Sequence, residues 1–562
     1  MDRRFLLAVV LSAIVLIVFQ MWFAPKAPPP GRKGPNQASV AESLAAAAGT
    51  TAAGTTTALA PAPAPAETAA AAPATPVVGL ASGLDRAASV ETTEVKTALY
   101  KAILTNRGGQ LQSWKLLEYN GLGEEPVDLV PPGTDELDLT LETESGIKNL
   151  SETLFSTREE TLPDGGRRVT FEAGREGGAH IIKTFTFPPR GYMVDLDVSI
   201  EGVPQATGYR LAWENGIPRA ESSHKQYHSA AGTIVLLGKE KETVRPGSFK
   251  KSHEKELEGN VLWAGVRNKY FMAVMIPPEG ISSRVIATGD AVKNVTGAEL
   301  VMPMLHGAAD HQYHVYLGPM DYASLKDLDH HLEQAVDLGW KIFRPISKLL
   351  LAVMVWMYGF IPNYGVVIII ISVATKLLFY PLTKSSVKSM RNMQRIQPEM
   401  QAIKEKYKND SQRQQKEMME LYKKHKVNPM GGCLPILVQM PVFVALYAVL
   451  ANSITMRGAD FALWMNDLSS PDTIATVGGF AIHVLPFILF LTTVAQQMLT
   501  PTAGDPRQKM IGYMMPLVML FIFYSFPAGL NLYWTVNNIL TVAQQWIIHR
   551  EEAVPAPAAS TA

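Results

Sequence analysis

Long apolar runs, sharply separated from polar sequence, constrain this chain more than any other feature. Five crowd its last third, at about Asn363 to Leu382, Cys433 to Ala451, Phe480 to Leu499, Ile511 to Phe526 and Leu530 to Ile548. A sixth, the 19 residues Phe5 to Phe23, follows the basic start Asp2-Arg3-Arg4. A bilayer-crossing helix needs about 20 such residues, so the pattern predicts six spans. The Phe5 run is long for the core of a cleaved signal peptide, and Pro25 stands where a small-residue cleavage site belongs. Residues 1–24 therefore read as an uncleaved anchor whose basic flank holds the N-terminus in the cytoplasm. Counting spans from there places Lys384 to Lys426 and the C-terminus inside as well. The loop passes the charge test independently, with 12 Lys+Arg against 5 Asp+Glu.

The formal net charge of zero hides this division, because from Lys341 onward 20 Lys+Arg face 11 Asp+Glu and the excess of acid lies upstream. Residues 25–88 are rich in Ala, Pro, Thr and Gly and predict a disordered linker. Residues 89–334 change to short alternating segments with turn signals: Ala102 to Leu104 before Asn106-Arg107-Gly108-Gly109, His180 to Phe187 before Pro188-Pro189, and Tyr192 to Ile200. These predict a large antiparallel β-sandwich outside the cytoplasm. Residues 335–361 mix Trp340, Lys341, Phe343, Arg344, Lys348, Trp356 and Tyr358 with aliphatics, as a helix lying in the membrane interface does. Residues 362–549 hold five spans as a core bundle, interrupted by a cytoplasmic helical hairpin over 384–427, and 550–562 form a short cytoplasmic tail. In the hairpin Val387, Met390, Met393, Ile396, Met400, Ile403 and Tyr407 recur at helical steps, Pro398 starts or kinks the first arm, and Ser411 with Gln414 predicts the N-terminal cap of the second. The fold class is thus an α-helical polytopic membrane protein carrying an exported β-sandwich.

Chemistry is sparse. Cys433 is the single cysteine, so no disulfide framework or Cys-rich metal site exists within the chain. His224 with His228 and His311 with His314 have ligand spacing but no completing carboxylates or thiols, and no phosphate-binding loop or nucleophile elbow occurs. No cofactor, metal or catalytic residue is expected. The polar residues within the spans are more informative. Ser372, Lys376 and Thr383 share one helix face at steps of four and seven; Asn531, Thr535, Asn538, Thr541 and Gln545 form a second stripe in the last span; Gln439 adds an amide in the third span, and Thr492, Thr493, Gln496 and Gln497 add polarity to the fourth. A lysine within a span costs about 2.5–3.5 kcal/mol at mid-membrane. Lys376 either snorkels toward the cytoplasmic surface or faces a water-filled cavity, and with no acidic residue in these spans the neighbouring polar faces favour the cavity. Ser, Thr and Asn alone would also suit tight interhelical packing.

The chain resembles the YidC membrane-protein insertases of Gram-negative inner membranes, which carry a large periplasmic domain. The resemblance rests on Lys376-Leu-Leu-Phe-Tyr-Pro-Leu-Thr-Lys384, on Asn428-Pro-Met-Gly-Gly-Cys-Leu-Pro435 with Gln439-Met-Pro441, and on Phe461-Ala-Leu-Trp464 and Phe526-Pro-Ala-Gly529. It implies a non-enzymatic insertase and chaperone with a hydrophilic cationic groove open to cytoplasm and lipid. By matching, the charge, usually arginine in the family, is Lys376, and Ser372, Gln439, Met440, Phe443, Tyr533 and Trp534 line the client path. Lysine keeps the charge without the bidentate fork, and Trp534 departs from the family's common Tyr-Tyr pair. The implied partners are nascent membrane proteins, the Sec translocon, the ribosome through the basic hairpin, and the lipid bilayer, with no sequence-specific nucleic acid. A solute channel, with polar faces through the whole bilayer depth, and an enzyme acting on periplasmic carbohydrate through the sandwich are readings from other classes.

Overall fold

The computed structural model describes Leu84 and residues 86–121, 124–175, 178–220, 230–250, 252–281, 283–427, 434–478, 480–499 and 506–553. The expected anchor, nearly all of the linker, most of the tail, His224, His228 and Cys433 lie outside the described residues.

The alternating sequence folds as expected of strands buried on one face. His180–Phe187 and Met193–Glu201 each bury every second residue and pair antiparallel, Asp195 opposite Thr186. They sit within a nine-stranded sheet running from Glu240–Val244 at one edge to Ser156–Thr161 at the other. A six-stranded sheet, from Glu254–Leu257 to Gly146–Asn149, packs on it where Val295–Pro303 crosses Gly232–Leu237 and Val261–Arg267. The buried Thr233 hydroxyl donates to the Gly297 carbonyl at 2.7 Å. A four-stranded sheet beginning at Thr92–Lys96 completes the domain. One continuous core joins all three, with Trp114, Trp213 and Trp263 fully buried. The Asn106–Gly109 turn needs its glycines: Gly108 and Gly109 have φ of 69° and 57°, and a side chain at Gly109 would press on Phe171.

Helices follow: α1 (Tyr322–Lys326), α2 (Arg344–Tyr358), α3 (Tyr364–Leu378), α4 (Tyr380–Arg395), α5 (Gln397–Lys406), α6 (Ser411–Lys424), α7 (Leu434–Asn452), α8 (Leu485–Leu499), α9 (Pro506–Phe523) and α10 (Ala528–Ala553). Several expectations are corrected here. The interfacial helix expected over 335–361 is confined to α2, because a 3-10 turn ends at Ala335 and Pro345 sits in α2's first turn. The span expected over Asn363 to Leu382 breaks at Phe379, and α4 leaves α3 at 60°. Pro381 causes the break, since its ring clashes with the carbonyl four residues earlier and it has no N–H to continue the ladder. Thr383 is thereby carried off the Ser372–Lys376 face and donates to Phe379 O at 3.1 Å. The stretch Phe480–His483 is a strand paired with Thr473–Val477, so α8 starts at Leu485. Among the described residues no single helix is long and apolar enough to cross a membrane, whereas α3 and α4 together pass the same test as a bent pair.

The hairpin forms from α4 to α6. Pro398 starts α5 rather than bending a continuous helix, and Met393, Ile396, Met400 and Ile403 pack against Leu421 and Tyr422. The cap of α6 is Asp410, which accepts from Arg413 N at 3.0 Å; Ser411 is already the first helical residue.

The link after α7 binds the helices to the sandwich. Ile454 belongs to the sandwich core, Arg457 lies over the Tyr270 and Phe271 rings and donates to Asn120 O and Ala220 O, and Tyr270 Oη donates to Ser469 Oγ at 3.0 Å. Phe461 O accepts from Asn363 Nδ2 at 3.0 Å, so the same link meets the start of α3. A side chain at Gly365 would collide with the Phe461 ring.

Candidate functional site

The polar residues of the helices converge where α3, α7 and α10 meet. Asn363 caps α3 by accepting from Val366 N, and twelve residues after Tyr364 the helix delivers Lys376, two positions before its end. At 1.5 Å per residue this places Lys376 about 18 Å along α3, away from the end that meets the link after α7. Its Nζ donates to Thr541 Oγ1 of α10 at 2.7 Å. Thr541 Oγ1 in turn donates to Asn537 O at 2.6 Å, and Asn537 Nδ2 donates to Tyr533 O at 3.1 Å. Gln439 Nε2 of α7 closes the set, donating to Asn537 Oδ1 at 3.0 Å and Tyr533 Oη at 3.3 Å. Among the described residues Lys376 is paired with no carboxylate. An ammonium in that setting keeps its charge only where water or a partner reaches it, and Lys376 is half-buried.

Lys376, Gln439 and Tyr533 are thus brought into one network, with the fully buried Ser372 on Lys376's face bonding back to Ile368 O at 2.8 Å. Phe443 and Trp534 meet edge to face, centroids 4.8 Å apart, and Phe523 flanks Trp534 at 5.2 Å. They form an aromatic floor beside the polar ladder, because Phe443 is one turn on from Gln439. Met440, 100° further round the helix, is 37 % exposed and turns away from the network.

The long stripe on α10 divides in two. Asn538 faces α8, where its Nδ2 donates to Thr493 Oγ1 at 2.9 Å, whereas Tyr533, Asn537 and Thr541 face α3 and α7 at steps of four. Asn537 and Gln544 are the members that sequence reasoning missed; Gln544 Nε2 donates to Lys376 O at 3.3 Å. The signal for Asn537 was its place midway between Tyr533 and Thr541. Thr535 Oγ1 and Gln544 Oε1 are buried without a hydrogen-bond partner among the described residues, each costing about 1–3 kcal/mol unless something polar meets it.

No cluster of His, Cys, Asp and Glu among the described residues has the make-up of a metal site. His311 and His314 are spent elsewhere: His311 Nδ1 bonds Tyr209 Oη and His314 Nδ1 bonds Asp195, both at 2.7 Å.

Comparison with known proteins decides the family. The family model described as 60Kd inner membrane protein matches residues 356–554, and that of the YidC periplasmic domain matches residues 92–353. The membrane protein insertase YidC of Syntrophus aciditrophicus is 33 % identical over 568 residues, covering 98 % of this chain and all of its own. The chain belongs to the YidC family. The YidC of Geotalea daltonii is 35 % identical over 570 residues, covering 98 % and 99 % of the two chains. A crystal structure of an active YidC insertase with its first transmembrane domain resolved aligns at 19 % identity and a TM-score of 0.34, over 82 % of this chain and 93 % of that one. YidC proteins are inner-membrane proteins with a periplasmic domain; the sandwich is the part the periplasmic-domain model matches, and the polar network lies within the part matched by the inner-membrane-protein model.

Proposed function

We propose that this chain is a membrane protein insertase that moves short polar segments of client proteins through a hydrated cationic groove between α3, α7 and α10. The single observation that carries this is the Lys376–Thr541–Asn537–Gln439–Tyr533 network, which among the described residues holds a positive charge amid apolar helices with no carboxylate paired to it. From Tyr533 to Thr541 it runs about 12 Å along α10, well under the ~30 Å hydrocarbon thickness. A solute channel needs polar lining throughout, whereas a groove reaching partway needs only this.

In this reading the groove opens to cytoplasm and lipid. Ser372, Lys376, Gln439 and Tyr533 meet the polar tail, while Met440, Phe443 and Trp534 guide apolar residues into lipid. Gln544 Oε1, on the face of Asn537 and Thr541 and without a partner among the described residues, lowers the cost of stripping water from a client backbone by offering it a hydrogen bond. The reading includes six membrane spans, the expected anchor and five in the core, the first core span breaking at Phe379 and the third starting at Leu485, with both termini cytoplasmic. The basic hairpin of α4 to α6 receives the ribosome or nascent chain, and the protein works alone or beside the Sec translocon. No nucleotide is hydrolysed and no bond in the client is broken.

Purified protein in liposomes, given a single-span client with a short acidic N-terminal tail and no nucleotide, is expected to protect that tail from external protease well above protein-free liposomes. Equal protection in the two preparations refutes the proposal.

A further inference from the structure

The hairpin Thr473–Val477/Phe480–His483 carries a surface that neither the groove nor the sandwich uses. Val477 pairs with Phe480 across the strands, and the two are 65 % and 64 % exposed; Ile474, at the bulge in the same pair, is 49 % exposed. Exposed two-stranded edges are ordinarily protected by charge or proline, yet from Thr473 to Gly504 the sequence has no Asp, Glu, Lys or Arg.

The hairpin is nevertheless firmly placed. Buried Asp472 at its base accepts from Val484 N at 2.9 Å, Leu485 N at 2.7 Å and Trp464 Nε1 at 3.0 Å, which ties the hairpin to the first turn of α8. Tyr524 Oη, just past α9, donates to Ala481 O, and the Phe480 and Tyr524 rings lie 5.6 Å apart. One residue, Val484, separates the second strand from α8. An uncharged apolar surface so close to the start of an apolar helix fits a lipid surface better than water.

We propose that this hairpin is an interfacial anchor, with Val477 and Phe480 inserted among the headgroups and upper acyl chains of the leaflet on the sandwich side. The inference rests on the helices crossing a bilayer, but not on insertase activity. Depth follows from the backbone: the outer edges of a two-stranded ribbon leave N–H and C=O groups that hydrocarbon cannot satisfy, so the hairpin sits at the interface and not in the bilayer centre. With α2, whose Trp356 is 66 % exposed, and Phe360 just past its end, 72 % exposed, it would grip the same leaflet at a second place.

The test is spin labelling of the full chain in liposomes, on a Cys433→Ser background, with Val477→Cys, Phe480→Cys, Leu491→Cys in α8 and Val292→Cys in the sandwich. Collision with dissolved oxygen is compared with collision with an aqueous nickel chelate. Positions 477 and 480 are expected to show an oxygen-to-chelate ratio several-fold above that at 292 and below that at 491. A ratio at 477 and 480 equal to that at 292 overturns the proposal, and low access to both reagents overturns it in favour of a protein cover. If 491 is also open to the chelate, the spanning of α8 has failed instead, and the inference falls with it.

Discussion

Reversing the charge at position 376 separates electrostatic capture of a client from mere packing. Among the described residues the Lys376 ammonium bonds only a neutral hydroxyl, Thr541 Oγ1 at 2.7 Å, and no carboxylate there competes with an incoming acidic tail. At 4 Å a unit charge pair is worth about 1 kcal/mol in water and about 4 kcal/mol at an effective dielectric of 20. Lys376→Glu turns attraction into equal repulsion, a swing of about 2 kcal/mol for a fully hydrated groove and about 8 kcal/mol as an upper figure. At about 1.4 kcal/mol per factor of ten, the smaller swing already means about 30-fold weaker capture. Two clients with one span and tails differing only as Asp-Asp and Asn-Asn isolate the term, because a neutral tail feels only the altered contact with Thr541. In proteoliposomes scored by protease protection, Lys376→Glu is expected to depress the acidic client at least tenfold more than the neutral one. Lys376→Arg, which keeps the charge, is expected to stay near wild type for both. The acidic client's advantage should shrink with added salt, since a hydrated groove is screened over about 10 Å at 0.1 M. If Lys376→Glu and Lys376→Arg lower both clients equally, the lysine acts through packing and the electrostatic reasoning is wrong.

Three further outcomes test the frame around the Lys376 network. Gly365→Leu would drive a side chain into the Phe461 ring and should cost about 1–3 kcal/mol, read as a lower melting temperature in detergent; an unchanged melt refutes the close approach. Arg457→Ala removes the guanidinium from two carbonyls and two aromatic faces. Hydrogen exchange should then rise in the link after α7 and around Asn120, while strands such as His180–Phe187 stay protected; uniform exchange throughout would show that Arg457 does not hold the seam. Glu136 is fully buried, and although its carboxylate accepts from Glu214 N at 2.7 Å, burial pushes its pKa from 4.5 up to about 8. The folded state therefore holds a proton that the unfolded state releases, so its contribution to stability is fully present below about pH 4.5 and is lost as pH rises through about 8. Denaturant titrations of the full chain at pH 5 and pH 8 should show a fall in stability that Glu136→Gln reduces; an identical fall in the variant refutes the assignment.

How far the sequence could be read depended on whether a signal was local. Alternation in His180–Phe187 needed no distant information, because a strand with one buried face must show period two. Lys376 stood out because an ionisable group in an apolar run has few places to go. The break at Phe379 was equally local, but the length of the apolar run outweighed Pro381, which should have ended α3 four residues sooner. Phe480–His483 was misread for a similar reason: Gly478-Gly479 between two β-prone segments is a hairpin signal, yet an unbroken apolar run leading into α8 reads as helix by length alone. Asn537 escaped because hydrophobic periodicity weighs an asparagine by its polarity, whereas its role comes from Gln439, 98 residues away. The deepest omission is Ile454, whose sequence context is that of a helix end and whose side chain completes the sandwich core. No local pattern could have announced that, because the contact joins residues far apart in the chain. The same contact has a structural consequence: a sandwich joined to the link after α7, which also abuts the start of α3, makes α3 and the periplasmic domain share a support. Motion of that domain is therefore expected to reach α3 through Phe461 and Asn363 before it reaches the hairpin at the other end.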